Sequence, residues 1–117
     1  MRTRTLDERR RLYLLARSVL ESDYGQALSL DSVAGGLAVS PRQLQRLYAQ
    51  FGQLSFREDL AGRRMAAAAV LLRGSNAPIG EVARLVGCDP SHFARSFHAH
   101  HGVCPREFRA SGFGSRQ

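Results

Sequence analysis

Apolar residues recur at helical spacing along almost the whole chain, and cap signals break that pattern into short segments. No strand-like alternation persists. Thr5 and Glu8 have the spacing of a capping box, which predicts a helix to about Asp23 with Leu12, Leu15, Ala16, Val19 and Leu20 on its apolar face. Tyr24-Gly25 ends it. Ser29 can cap a short helix over about 30–38 that carries Leu30, Val33, Ala34 and Leu37. The Gly35-Gly36 pair inside it costs about 1 kcal/mol per glycine relative to alanine, so tertiary packing must hold that segment. Ser40-Pro41 supplies an N-cap followed by proline at the first helical position, and Gln43 completes the box. That helix runs to about Phe51.

Ser55 and Glu58 repeat the capping box and open the longest predicted helix, about Phe56 to Arg73, closed by Gly74. At 1.5 Å per residue it is roughly 27 Å long. Pro78 begins a short helix ending at Gly87. Asp89-Pro90 repeats the cap-plus-proline device and starts a helix to about His101. Cys104-Pro105 begins a last short turn of helix, and the tail GFGSRQ reads as frayed.

Shifting the chain by 49 positions aligns its halves without a gap. Val33-Ala34 falls on Val82-Ala83, Ser40-Pro41 on Asp89-Pro90, Leu44 on Phe93, Arg46 on Arg95, Tyr48 on Phe97 and Arg57-Glu58 on Arg106-Glu107. Each copy reads as a short helix, a tight turn and a capped second helix, the helix-turn-helix pattern. A unit of about 25 residues cannot bury its own apolar face, so each copy needs support. The first helix and the last short helix are the segments available to give it.

The second helix of each copy has two faces. Leu44, Leu47, Tyr48 and Phe51 form an inward stripe, and Arg42, Gln45, Arg46 and Ala49 follow the same spacing on another face. In the second copy Phe93 and Phe97 point inward, while Ser91, His92, Arg95 and His98 lie on the other side. Arginine and glutamine can pair bidentately with guanine and adenine edges in a major groove. Most charged faces are simply solvated, but Arg46 and Arg95 recur at one register in both copies, which favours contact with bases. Arg42 and Gln45 follow, then Ser91 and His92.

Composition sharpens that picture. In 117 residues, 17 Lys+Arg against 10 Asp+Glu give a formal net charge of +7, and all 17 of those basic residues are arginine. A surplus of this size favours a polyanionic partner, nucleic acid ahead of an anionic membrane. The 44% hydrophobic fraction suffices for a core. No apolar run approaches the roughly 20 residues needed to span a bilayer. The basic start MRTRTLDERRR lacks the h-region and cleavage site of a secretory signal, so a reduced, cytoplasmic protein is expected. Cys88 and Cys104 form neither a metal quartet nor a disulfide framework and read as small packing residues. His98, His101 and Cys104 could offer three ligands. However, Cys104 lies beyond the helix-ending Gly102 and no carboxylate sits nearby as a general base, so surface histidines near phosphates are the better reading. No enzymatic activity, metal or cofactor is expected.

The stretches LSLDSVA, SPRQLQRLY, SFREDLAGRRMAAAAVLL, API-EVARLVG, SHFARSF and GVCPREFR, in that order and spacing, resemble the AraC/XylS family DNA-binding domain over about Leu28 to Arg109. The resemblance implies an all-α fold of seven helices, with two helix-turn-helix subdomains joined by a long linking helix. Residues 1–54 would form the first subdomain with its support helix, 55–74 the linking helix and 75–117 the second subdomain. It implies sequence-specific binding to adjacent major grooves of double-stranded DNA, often by a transcription activator that contacts RNA polymerase. The base-reading residues carried over by position are Arg42, Gln45, Arg46, Ser91, His92 and Arg95. Departures from the family pattern are Gly87-Cys88 in place of Gly-Phe, a following turn that looks one residue shorter, Gly52 one position early, and the Gly35-Gly36 pair.

The expected partner is double-stranded DNA, bound by a monomer, with RNA polymerase as a further contact. No membrane and no small-molecule effector is expected for this segment. The rival reading is a basic helical module whose Arg-rich first helix binds an acidic protein or a membrane surface.

Overall fold

The computed structural model describes the backbone of residues 4–114 and the side chains of residues 4–111. Among them are seven helices and no strand: α1 (Leu6–Asp23), α2 (Leu30–Gly36), α3 (Pro41–Phe51), α4 (Phe56–Gly74), α5 (Ile79–Leu85), α6 (Pro90–His101) and α7 (Pro105–Gly114). The chain divides into two compact units, Met1–Ala61 and Gly62–Gln117. The division falls inside α4, which begins in the first unit and ends in the second.

The capping signals form as hydrogen bonds. Reciprocal boxes join Thr5 with Glu8, Ser40 with Gln43 and Ser55 with Glu58, each leg between 2.8 and 3.1 Å. Each occupies orphan N–H groups that a helix start leaves without an intrahelical partner. A fourth box, Ser29 with Ser32, opens α2. The Gly35-Gly36 pair stands in the last turn of α2 rather than in its interior, and a Cβ at either position would meet nothing within 4 Å.

In the first unit the core gathers Tyr13, Ala16 and Leu20 of α1, Val33 and Ala34 of α2, Leu44, Leu47 and Tyr48 of α3, and Phe56 and Leu60 at the start of α4. The buried stripe of α1 is therefore Tyr13, Ala16 and Leu20, with Leu12 and Val19 partly covered. Leu15, expected inside, is 46% exposed. The Tyr13 ring decides this rotation: it meets Tyr48 edge-on at 5.1 Å and lies 5.8 Å from Phe51. Gly52, which closes α3, is held by the same ring, because a Cβ there would sit 2.8 Å from the Tyr13 hydroxyl and 3.1 Å from the Tyr48 carbonyl oxygen.

In the second unit Met65, Ala68 and Leu72 of α4 are buried together with Val82, Ala83, Val86, Phe93 and Phe97. The last helix is longer than the single turn expected, ten residues to Gly114, because its side chains are anchored. Phe108 packs against Phe97 at 5.2 Å and His101 at 5.7 Å. Arg109 Nε donates to the Leu72 carbonyl at 2.9 Å, satisfying an orphan acceptor at the end of α4 with a cation suited to that end of the helix dipole. The Arg73 guanidinium lies 4.3 Å over the Phe108 ring. Residues 1–3 of the basic N-terminus and 115–117 of the tail lie outside the described residues.

The repeat is carried into the backbone. Leu37 and Val86 end the first helices, Ala38 and Gly87 follow with φ of 60° and 85°, and Val39 and Cys88 donate back to Ala34 and Ala83 at 3.0 and 2.8 Å. The turn after Gly87 is thus no shorter than its counterpart in the first copy, and both copies keep one register. The left-handed conformation suits glycine and strains alanine by about 1–2 kcal/mol, partly offset by glycine's larger loss of freedom on folding. Ala38→Gly should therefore stabilise the chain by up to about 1 kcal/mol, and Gly87→Ala should destabilise it by about 1 kcal/mol. Urea midpoints of the two variants are expected to move in opposite directions.

Candidate nucleic-acid interface

Two helices carry the sequence-predicted site, and in each the buried aromatic fixes which side faces solvent. On α3, Leu44, Leu47 and Tyr48 are buried, whereas Arg42, Gln45, Arg46 and Ala49 are exposed. On α6, Phe93 and Phe97 are buried, whereas Ser91, His92, Arg95 and His98 are exposed. All six candidate residues thus reach solvent. Within α3 the three candidates share one face, and within α6 the three share another. Among the described residues the guanidinium groups of Arg42, Arg46 and Arg95 have no intramolecular partner. Free guanidinium forks can take phosphate oxygens or purine edges without first breaking an ion pair.

The α6 start differs from that of α3. Asp89 Oδ1 accepts the Ser91 backbone N–H at 3.0 Å and the Ser91 hydroxyl at 2.9 Å. These two bonds, with a smaller contribution from His92, hold the Asp89 carboxyl below its ordinary value of 3.8. The Ser91 hydroxyl proton is therefore committed to the cap, and its oxygen is left to act as an acceptor. In α3 a neutral Ser40 does the capping, so Arg42 stands free of a neighbouring carboxylate.

The support beneath the helices also differs at matched positions. In the first unit the Tyr48 hydroxyl donates to Asp59 Oδ2 at 2.8 Å, and Arg17 Nε stands 3.5 Å from the same oxygen. Asp59 is 6% exposed, so this is a nearly buried carboxylate that draws α1, α3 and α4 together. In the second unit the pair 49 positions on is Phe97 with Phe108, an apolar edge contact at 5.2 Å. One hydrogen-bonded prop is replaced by one aromatic prop. Sequence reasoning missed Tyr13 and Asp59. Tyr13, Ala16 and Leu20 have helical spacing, as do Phe56, Asp59 and Leu60, but a phenol and a carboxylate do not register as core in an apolar pattern.

His101 and Cys104 are engaged within the fold. His101 stacks on Phe97 at 4.4 Å, and its Nε2 is 3.1 Å from the Met65 carbonyl oxygen, where the Nε2–H tautomer donates. Cys104 Sγ accepts the Glu107 N–H at 3.5 Å, a weak sulfur version of the Ser55 cap 49 positions earlier. Burial raises the Cys88 thiol above its ordinary value, against a smaller lowering by Arg64. Among the described residues no three His, Cys, Asp or Glu side chains gather into a metal-ligand group, and no helix is long and apolar enough to cross a membrane.

These features define a double helix-turn-helix protein. A model of the helix-turn-helix domain family matches residues 33–111. The transcriptional regulator YpdC of Escherichia coli is 35% identical over 92 residues, covering 78% of this chain and 32% of its own length. The C-terminal domain of AraT, a response regulator from Geobacillus stearothermophilus, aligns with a TM-score of 0.82 and 37% identity over 86% of this chain and 84% of its own. A regulator from Chromobacterium violaceum described by its AraC-type DNA-binding domain aligns with a TM-score of 0.79 and 27% identity over 91% of this chain and 96% of its own. The chain belongs to the AraC/XylS-type helix-turn-helix family of DNA-binding domains, a family without enzymatic activity. It spans about a third of the length of curated relatives such as YpdC.

Tyr48→Phe leaves the nearly buried Asp59 one donor short and should cost about 1–3 kcal/mol in urea unfolding. Burial first, then the hydrogen bond and charge of Asp59, raise the Tyr48 phenol above its ordinary value of 10.0. The folded chain therefore keeps a proton that the unfolded chain loses. This contribution is complete below pH 10.0 and declines as pH rises beyond it, because the native state then binds the extra proton. Tyr48→Phe should remove that alkaline decline, which unfolding curves between about pH 9 and 11 would measure.

Proposed function

We propose that this chain binds double-stranded DNA with sequence preference, placing α3 and α6 in successive major-groove segments, and that it regulates transcription through that binding. The observation that carries the reading is the pair Arg46 and Arg95, at the same register of the two copies, both exposed and both without an intramolecular partner among the described residues. Family membership supports the same conclusion. Arginines and helix N-termini would supply salt-dependent affinity for phosphates, and the outward side chains of the two helices would supply the preference for sequence. Arg42, Gln45 and Arg46 read one segment, and Ser91, His92 and Arg95 the other.

Finer parts of the proposal rest on the family pattern. One copy carries two reading helices and so acts as a monomer on its site. The regulatory outcome is activation through contact with RNA polymerase in the cytoplasm. If centres one helical turn apart, roughly 34 Å, are to be met by a shorter linking helix, the duplex bends.

Selection of bound fragments from a random DNA pool tests the core of the proposal. Arg46→Ala should flatten base preference in one half of the selected site and Arg95→Ala in the other, each by the roughly 1–3 kcal/mol of a bidentate contact. Equal loss of affinity for every sequence would make these residues phosphate clamps and overturn their reading role.

A further inference from the structure

The first unit carries a second basic element that the base-reading residues do not use. Arg9 of α1 reaches across to α3, where its Nε donates to Gln50 Oε1 at 3.2 Å, and Arg10 lies 5.7 Å over the Phe51 ring. Gln50 continues the helical row Arg42, Arg46 at four-residue steps, so Arg9 is joined to the end of the row that carries the proposed base contacts. Arg9 also donates from Nη1 to the Arg4 carbonyl, which holds that residue's backbone beside it. The nearest acidic side chain in sequence, Glu8, is turned onto the Thr5 N–H in the capping box, and neither Arg9 nor Arg10 is in an ion pair among the described residues. Two cations are thus held in place by a neutral amide and an aromatic ring, and their charge stays uncompensated.

We infer that Arg9 and Arg10 form a phosphate clamp for the duplex read by α3, with Gln50 as the positioning residue that holds Arg9 on the α3 row. This rests on the DNA-binding reading and adds a backbone contact to it. A neutral amide suits that role, since it orients the guanidinium through one N–H and leaves the other donors and the whole charge for a phosphate oxygen. A carboxylate at position 50 would hold the same arginine and cancel it.

The test is equilibrium binding of the full chain to its selected DNA site and to random duplex over a range of salt concentrations. Each lost phosphate contact should reduce the magnitude of the negative slope of log affinity against log salt by about 0.9. Arg9→Gln with Arg10→Gln should therefore reduce that magnitude by about 2 and weaken selected and random DNA by the same factor, with helix content by circular dichroism unchanged. Gln50→Ala, which removes no charge, should reduce it by up to about 1. Wild-type slope in both variants, with binding intact, would overturn the clamp while leaving the DNA-binding reading in place. Failure of the wild-type chain to bind any duplex would instead sink that reading. Loss of binding to vesicles of anionic lipid in the Arg9, Arg10 variant, with DNA slopes unmoved, would assign the two arginines to a membrane surface and also overturn the clamp.

Discussion

Burial of one aromatic side chain on the second helix of each copy is the constraint from which the rest follows. Tyr48 and Phe97 are 2% and 0% exposed, and a helix with that position inside must show the opposite face to water. The outward positions are then Arg42, Gln45 and Arg46 in one unit and Ser91, His92 and Arg95 in the other. Everything around the aromatic serves to keep it seated. The left-handed residue at Ala38 or Gly87 turns the chain, and the cap at Ser40 or Asp89 starts the helix. The partner at Asp59 or Phe108 then meets the ring from below.

The two copies solve that common problem with different chemistry. The first uses a hydrogen-bonded carboxylate near Arg17, which ties stability to the protonation of a phenol. The second uses ring against ring, a contact with no titratable group. A buried carboxylate constrains geometry more tightly than an apolar contact, because leaving it unsatisfied is expensive. The capping groups diverge in the same way: a neutral serine beside Arg42, an ionised aspartate beside Ser91. Electrostatically, the start of α3 is the more open of the two to an anion.

Most of the fold was legible because its punctuation is local. The boxes at Thr5, Ser40 and Ser55 each predict a helix start, and α3 runs from Pro41 to Phe51 as its cap and periodicity require. What the pattern could not show was tertiary. Leu15 looked like core and is half exposed, while Tyr13 turned inward because aromatic partners wait on α3. The short turn expected at Cys104 became a ten-residue helix because Phe108 and Arg109 find anchors on α6 and α4. The outward site residues were readable, since an exposed face is the complement of a buried stripe. The hydroxyl of Ser91 was not, because its engagement by Asp89 is a matter of geometry two residues away.

DNA recognition as proposed requires both second helices to enter major grooves of one duplex. Methylation of guanine N7, an atom that lies only in the major groove, measures this directly when carried out on DNA bound by the whole chain. Two clusters of protected guanines about one helical turn apart are expected. A single protected cluster, or binding that leaves every N7 open to methylation, would contradict that mode of recognition.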